Sequence, residues 1–233
     1  MGRLVGAVIQ LIHVLARARD AANDFLCSHG PRWTELLNDR AWQVEGAEDV
    51  GQQLLRALDL TGQGMVNAPR LFSRIAAVVH GLSTLPSLRL KVQTQKISQP
   101  EAMRFYSEIV RTHLALVFEA ADISGDPFVS QALLAMFSFM QGKELAGQER
   151  ALGAAGFAAR HFDHTTPLQL TDLIEGQEQC FQTFTKFADA RSLAVWQQQL
   201  STDNSELERL RRIACTRMTP ANDTPDAALH WFG

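Results

Sequence analysis

The chain is poor in cysteine and tyrosine, and it has no long apolar run. Its 233 residues include three cysteines and a single tyrosine. Cys27, Cys180 and Cys215 are odd in number and far apart, which argues against a disulfide scaffold, and no Cys-x-x-Cys pair predicts a zinc or redox centre. No stretch approaches the roughly 20 apolar residues of a membrane helix. We therefore expect a cytoplasmic protein without membrane contact.

The charge balance gives the chain no general attraction for nucleic acid. Lysine and arginine total 22 against 25 acidic residues, so the formal net charge is −3. A nucleic-acid-binding domain would carry a basic face and a high isoelectric point. We therefore expect no direct binding of nucleic acid by this chain.

The N-terminus is similar to a secretory signal peptide, but it fits a mature helix better. Arg3 precedes an apolar stretch, and residues 16–18 (Ala-Arg-Ala) have the spacing of a cleavage site. Gln10 and His13 interrupt the apolar stretch, however, and its apolar residues recur at spacings of three and four. We interpret this segment as the first helix of the folded chain.

Leucine and alanine dominate the apolar residues, and none of the eight prolines lies in the interior of a long periodic segment. The patterns predict helices over residues 3–28, 32–60, 68–80, 86–97, 99–123, 126–160, 166–200 and 206–216. Ser98 and Glu101 have the spacing of a capping box. Long helices with short connections predict an all-α fold of antiparallel helical bundles, in which two four-helix bundles share the long helices.

Two arginines fall on the apolar faces of their helices. Arg19 follows Leu15 by four residues and precedes Ala22 by three, whereas Arg17 points elsewhere. Arg150 shares a face with Phe157. A guanidinium that faces a core must be paired or must bind an anion. The patterns leave two alternatives open. Each arginine either extends to a helix end or pairs with a carboxylate, or it binds a small anion.

A run of small residues surrounds Arg150 in the sequence. It comprises Gly142, Ala146, Gly147, Ala151, Gly153, Ala154, Ala155 and Gly156. Small side chains allow close helix packing or leave room for a small guest. Glu149 projects about 100° away from Arg150 on a helix, so it is not the obvious partner. Gln177 lies on an apolar seam and could lend an amide donor.

The remaining candidate motifs for metal binding or catalysis are weak signals. His161, Asp163 and His164 could hold a metal ion, but they lie in a predicted loop at a helix end, and we expect no metal and no other cofactor. No Glu-x-x-His, Gly-x-Ser-x-Gly, P-loop or His-Glu-x-x-His motif occurs. We therefore expect no enzymatic activity.

Residues 126–160, DPFVSQALLAMFSFMQGKELAGQERALGAAGFAAR, resemble the signature of the nitrate- and nitrite-sensing family. The specific part is Lys143 to Ala151, in which Lys143, Glu144, Gln148 and Glu149 support the match. Weaker similarity covers helix 1, residues 85–90, residues 105–107, Gln177 with Phe184, and Trp231-Phe232.

The resemblance implies a bacterial all-helical sensor of nitrate or nitrite, usually dimeric. Such sensors are usually joined to an output such as an RNA-binding antiterminator, a histidine kinase or a chemoreceptor. In the family's antiterminator two arginines are taken to hold the anion, and these map to Arg19 and Arg150, with Gln177 as a further donor. Guanidinium groups suit a planar, weakly hydrated anion.

The first signature departs from the family pattern. Glu-Arg-Gly in the family reads Ala18-Arg19-Asp20 here. Asp20 either pairs with Arg19 or weakens anion binding. We expect residues 1–233 to form a single sensor domain, with signatures at 11–26 and 143–157 and no output domain. It would bind nitrate or nitrite and signal to an output module or partner protein, in cis or in trans. The alternative is a ligand-free dimerisation or scaffold module.

Overall fold

The computed structural model describes residues 2–28, 68–200 and 204–216, and the regular structure in these ranges is entirely α-helical. The helices are α1 (Gly2–Ser28), α2 (Ala68–Gln93), α3 (Gln99–Asp122), α4 (Pro127–Ala159), α5 (Thr166–Phe187), α6 (Ala190–Leu200) and α7 (Ser205–Cys215). The all-α prediction is confirmed. The helix predicted for 32–60 and the Trp231-Phe232 pair lie outside the described residues.

The described residues group into two compact units. Those up to Phe137 belong to the first unit and those from Ser138 to the second. The boundary falls inside α4, so this 33-residue helix contributes to both units. This agrees with the expectation that helical bundles share a long helix.

The first unit is built around α3, with α1 and α2 antiparallel to it. Arg19 donates to Ser107, and one turn later in α1, Asn23 accepts from Gln99, eight residues earlier in α3. The two helices therefore run in opposite directions. Seven of the buried apolar residues of α1 lie along one face: Val8, Leu11, Ile12, Leu15, Ala18, Ala22 and Phe25. The buried residues of α3, which packs against both α1 and α2, include Tyr106, Ile109, Val110, Leu114 and Val117, and Ile109 lies beside Gly81 of α2.

The start of α3 is held by the predicted capping box. The Ser98 hydroxyl accepts from the Glu101 amide, and the Glu101 carboxylate accepts from the Ser98 amide at 3.1 Å. Pro100 fits the first turn because its missing N–H would have no helical partner there. The Ser98 hydroxyl also donates to the Glu101 carboxylate at 2.6 Å, and this bond and that from the Ser98 amide lower the pKa of Glu101.

The prediction of separate helices at 68–80 and 86–97 is wrong, since α2 runs without a break through Gly81 and Pro86. A single buried stripe crosses both breakers: Leu71, Val78, Leu82, Leu85, Leu88 and Val92. Burying each leucine contributes about 1.5–3 kcal/mol. Together these outweigh penalties of about 3 kcal/mol for proline and about 1 kcal/mol for glycine. Pro86 itself is exposed.

The prediction of one helix over 166–200 is also wrong. The backbone becomes extended at Ala188, with φ −70° and ψ 150°, and α6 begins two residues later. The Asp189 carboxylate accepts from the Ser192 amide at 2.7 Å, which caps the new helix. The same hydrogen bond lowers the pKa of Asp189.

The break allows α6 to fold back on an aromatic cluster. The Trp196 ring lies 4.7 Å from the Phe181 ring, and both contact Phe139 of α4. In one straight helix, Phe181 and Trp196 would be about 22 Å apart, because each residue adds about 1.5 Å. Aromatic burial thus favours the turn.

In the second unit, α7 packs on α5 through Leu170, Leu210 and Ala214.

By length and hydropathy, α2 from Pro69 to Gln93 passes the test for a membrane-spanning helix, with mean hydropathy 1.2 over its most apolar window. A core helix of a globular protein can be as long and as apolar, but 33% of this apolar stretch of α2 is buried. The buried stripe of α2 faces the protein interior.

Candidate anion-binding site

Arg19 is buried in the first unit, as its helical phase predicts. Its side chain is 1% exposed, whereas Arg17, two residues earlier, is exposed. The guanidinium Nη1 donates to the Ser107 hydroxyl of α3 at 3.2 Å. A neutral oxygen and a neighbouring carboxylate are thus among the partners of this charged group, which makes further contacts as well.

That carboxylate is Asp20, which pairs with Arg19 as one of the two sequence interpretations proposed. Asp20 Oδ1 lies 3.4 Å from Nε and 3.5 Å from Nη2 of Arg19. Both distances are near the upper limit for a hydrogen bond. They are long because successive side chains on a helix diverge by about 100°.

A second pair of polar side chains lies one turn away. Asn23 of α1 is buried, and its Oδ1 accepts from the amide of Gln99 at 2.6 Å. Together Arg19, Asn23, Gln99 and Ser107 form what we call the α1–α3 polar strip. It lies beside the buried apolar residues of α1 and α3.

His113 is a buried polar residue of the first unit that sequence reasoning missed. Its Nδ1 lies 2.7 Å from the Ile109 carbonyl, and its Nε2 has no hydrogen-bond partner among the described residues. Burial lowers the pKa of His113 to about 4. The ring is therefore neutral at pH 7, with Nδ1–H donating to the carbonyl.

Arg150 lies on α4 in the second unit. It is half-buried and makes polar contacts of its own. Among the other signature residues, Lys143 is exposed, and buried Glu144 accepts from Gln148 at 2.8 Å. Helical phase predicts that both arginines are buried. Arg19 is fully buried, whereas Arg150 is partly buried.

Glu149 is the centre of a buried ion pair that the sequence did not reveal. Its two oxygens accept from Nε and Nη2 of Arg211, each at 2.8 Å, and Oε2 also accepts from Gln177 at 2.6 Å. These bonds join α4, α5 and α7. The hydrogen bond with Glu149 raises the pKa of Arg211. One N–H of Gln177 is thereby engaged with Glu149.

No local pattern could have indicated this pairing. Arg211 is 62 residues from Glu149, and it also lies three residues after Glu208, to which it donates at 3.0 Å. From sequence alone, Arg211 fits an exposed pair within its own helix.

Two of the glycines near Arg150 serve close helix packing. A Cβ at Gly142 would lie 2.7 Å from the Phe181 ring, and a Cβ at Gly156 would overlap the Phe162 ring. At these positions an aromatic side chain of the same unit fills the space that the missing side chain leaves.

The His161, Asp163 and His164 cluster contains a helix cap. Asp163 Oδ1 accepts from the amides and hydroxyls of Thr165 and Thr166, at 2.8–2.9 Å. These four bonds hold the start of α5 and place the pKa of Asp163 well below its usual range. Within the described ranges, no group of three or more His, Cys, Asp or Glu residues could hold a metal ion.

Comparisons with known proteins point to one family. The sequence profile described as nitrate and nitrite sensing matches residues 10–233. A nitrate regulatory protein from Klebsiella oxytoca is 40% identical over 237 residues, covering 99% of this chain and 57% of that protein. The solved structure of the NasR transcription antiterminator matches with a TM-score of 0.88 and 38% identity, covering 99% of this chain and 61% of that one. The chain spans about three fifths of the length of these relatives.

Proposed function

This chain belongs to the nitrate and nitrite sensing family, and from this we propose that it binds nitrate or nitrite and regulates an output module. Its relatives are regulatory proteins, so the chain is a sensing regulatory domain rather than an enzyme. Binding would shift the population of helix arrangements without turning over the ligand. The output would be antitermination or another response, reached in cis or in trans.

The buried guanidinium of Arg19 is the observation that carries this proposal. Burying a cation is costly unless an anion or strong acceptors compensate it. The acceptors around it include a neutral hydroxyl at 3.2 Å and the Asp20 carboxylate at 3.4–3.5 Å. A small anion would make shorter contacts with the same N–H groups, and the low local dielectric would strengthen them.

We assign a second binding role to Arg150, which lies in the specific part of the family signature. Gln177 adds an amide donor through the N–H that Glu149 does not engage. Lys143, Glu144, Gln148 and Glu149 support the signature helix rather than contact the ligand. We further propose that the domain is cytoplasmic, forms a homodimer, and does not itself bind nucleic acid or a membrane.

The experiment is a calorimetric titration of the full 233-residue chain with nitrate, nitrite and chloride. We expect nitrate or nitrite to bind at millimolar concentration or below, and Arg19→Lys and Arg150→Ala to abolish binding. Arg17→Lys is the matched control for Arg19, because Arg17 is exposed on the same helix. Arg160→Asn is the control for Arg150, since Arg160 is exposed and asparagine tolerates its positive φ of 52°.

The contact between Asp20 and Arg19 favours one alternative, a ligand-free dimerisation or scaffold module in which Asp20 replaces the anion. In that case the wild type would show no nitrate-dependent heat or stabilisation. If instead the wild type binds nitrate, we expect Asp20→Gly to bind it more tightly, because an internal competitor is removed.

A further inference from the structure

We propose that Asn23 and Ser107 bind the same oxyanion as Arg19, as two further ligand-contacting residues of the α1–α3 polar strip. This inference rests on the proposed function, since it names additional contacts for the anion that Arg19 would hold. All four residues of the strip belong to the first unit.

Asn23 supplies a buried amide that the described residues satisfy poorly. The residue is 4% exposed, and its carbonyl oxygen is used by Gln99. Among the described residues its amide nitrogen has one contact, to Asp24 Oδ1 at 3.4 Å. Buried amide groups normally have good partners. The Asn23 amide has two N–H bonds, and its one contact, to Asp24, is long. It can therefore still donate a hydrogen bond to a ligand oxygen.

Ser107 supplies a hydroxyl hydrogen. Its oxygen accepts from Arg19, and a hydroxyl that accepts one hydrogen bond keeps its own hydrogen for donation. The neighbouring hydroxyl of Thr112 donates to the Ile109 carbonyl at 2.7 Å, as helix hydroxyls commonly do. No such acceptor for Ser107 lies among the described residues. Its hydrogen is thus available beside the guanidinium.

The spacing of the donors suits one small oxyanion. Arg19 and Asn23 are four residues apart on α1, which places their side chains about 6 Å apart on the same face. Ser107 contacts Arg19 from α3. A planar anion with three acceptor oxygens can receive a guanidinium N–H, an amide N–H and a hydroxyl O–H together, whereas a spherical chloride ion gains less from directed donors.

Two carboxylates lie beside the strip, and each competes with a ligand for one of its donors. Asp20 Oδ1 lies 3.4 Å from Arg19, and Asp24 Oδ1 lies 3.4 Å from Asn23. In each case a donor of the strip contacts the carboxylate of the next residue in the sequence. An anion that enters between these donors would replace both long contacts with bonds of ordinary length.

The test compares nitrate affinity by calorimetry in the full chain and in Ser107→Ala and Asn23→Leu. We expect each variant to bind nitrate about tenfold more weakly, which is the loss of one hydrogen bond to a charged group. Ser107→Thr retains a hydroxyl and should recover affinity. Thr112→Val is the matched control, because it removes a hydroxyl of α3 that already donates within the helix.

Selectivity gives a readout that loss of stability would not change. The ratio of nitrate to chloride affinity should fall in both variants and stay at the wild-type value in Thr112→Val. A second measurement does not depend on the folding of Asn23→Leu. In the wild type, the side-chain amide resonance of Asn23 should shift when nitrate is added. An amide that does not move at saturating nitrate overturns the assignment of Asn23.

The outcomes separate the two proposals. If the wild type binds nitrate and Arg19→Lys abolishes binding while Ser107→Ala and Asn23→Leu bind within twofold of wild type, this inference is wrong and the proposed function stands. If the wild type binds neither nitrate nor nitrite, both are wrong.

Discussion

At the scale of single residues, the interior holds ionisable groups whose environments differ sharply. Buried His113 has no acidic partner among the residues that the structure describes, and burial lowers its pKa to about 4. Glu149 is equally buried but has Arg211 and Gln177 as partners. The first group is kept neutral, whereas the second is held by a guanidinium and an amide, so the two residues respond differently to substitution.

His113 predicts a loss of stability in mild acid. Its pKa is about 4 in the folded chain against an ordinary value of 6.5, so the unfolded chain binds the proton first as the pH falls. The free energy of unfolding should therefore fall between pH 6.5 and pH 4, by about 3 kcal/mol in total. Urea unfolding at several pH values would measure this, with His113→Leu as the variant.

In His113→Leu this component should vanish, while His80→Gln should keep it, because His80 is exposed on α2. The leucine would also remove the unpaired Nε2 atom from the core, so the variant should be no less stable than the wild type at about pH 4.5, where the wild-type penalty is nearly complete. An unchanged pH profile in His113→Leu would show that another group titrates.

Two arginines of α7 predict contrasting effects of the same substitution. Arg211→Ala leaves the Glu149 carboxylate buried without its guanidinium and should destabilise the chain by about 3 kcal/mol or more. Arg209 pairs with Glu206 on the exposed face of the same helix, and Arg209→Ala should cost far less, because an exposed ion pair contributes little to stability. Thermal and chemical unfolding would compare the variants, and equal losses would contradict the assigned roles.

At the scale of helices, burial decides where α2 continues and where the chain turns. Gly81 and Pro86 are helix breakers by local preference, yet the stripe from Leu71 to Val92 carries α2 across them. Asp189 is a weaker local signal, yet α5 ends there because α6 folds onto the aromatic cluster.

Pro86 therefore remains a local defect in a helix that tertiary contacts stabilise. Pro86→Ala restores an N–H that can donate to the Leu82 carbonyl, and it should raise the free energy of unfolding by at least about 1 kcal/mol, out of the roughly 3 kcal/mol that separates the two residues. Pro100→Ala is the control, since Pro100 lies in the first turn of α3. Differential scanning calorimetry should show a gain for the first variant alone.

Two helical glycines predict changes of opposite sign. Gly142→Ala would press a methyl group against the Phe181 ring at 2.7 Å and should destabilise the chain by about 1–3 kcal/mol. Gly6→Ala in α1 meets nothing within 4 Å and should stabilise it by about 1 kcal/mol. If both variants were stabilised in thermal unfolding, the close approach of α4 and α5 at Gly142 would be wrong.

At the scale of the whole molecule, nitrate should stabilise the chain in proportion to the logarithm of its concentration. At about 100 times the dissociation constant the gain is about 2.7 kcal/mol, and each further tenfold adds about 1.4 kcal/mol. For a chain of this length that is a rise in Tm of about 5–10 °C. Thermal shift should show this slope in the wild type, and Arg19→Lys should remain flat.

The sequence predicted most of the helices and the burial of Arg19 because both depend on local periodicity. The ends of α1, α3 and α4 agree with prediction to within about two residues. It could not predict the Glu149–Arg211 pair, which depends on how distant segments meet. Nor could it predict the continuity of α2, since the burial that overrides Pro86 arises only when α3 packs against it.

The two helix ends with left-handed residues have a practical consequence for protein engineering. Gln95 after α2 and Arg160 after α4 adopt φ near +50°, and the amides of Lys96 and His161 close wide turns onto carbonyls five residues back. Glycine would adopt these conformations without steric penalty, about 1 kcal/mol better at each site. Gln95→Gly and Arg160→Gly therefore offer a thermostabilised form for crystallisation, without touching Arg19, Arg150 or the polar strip.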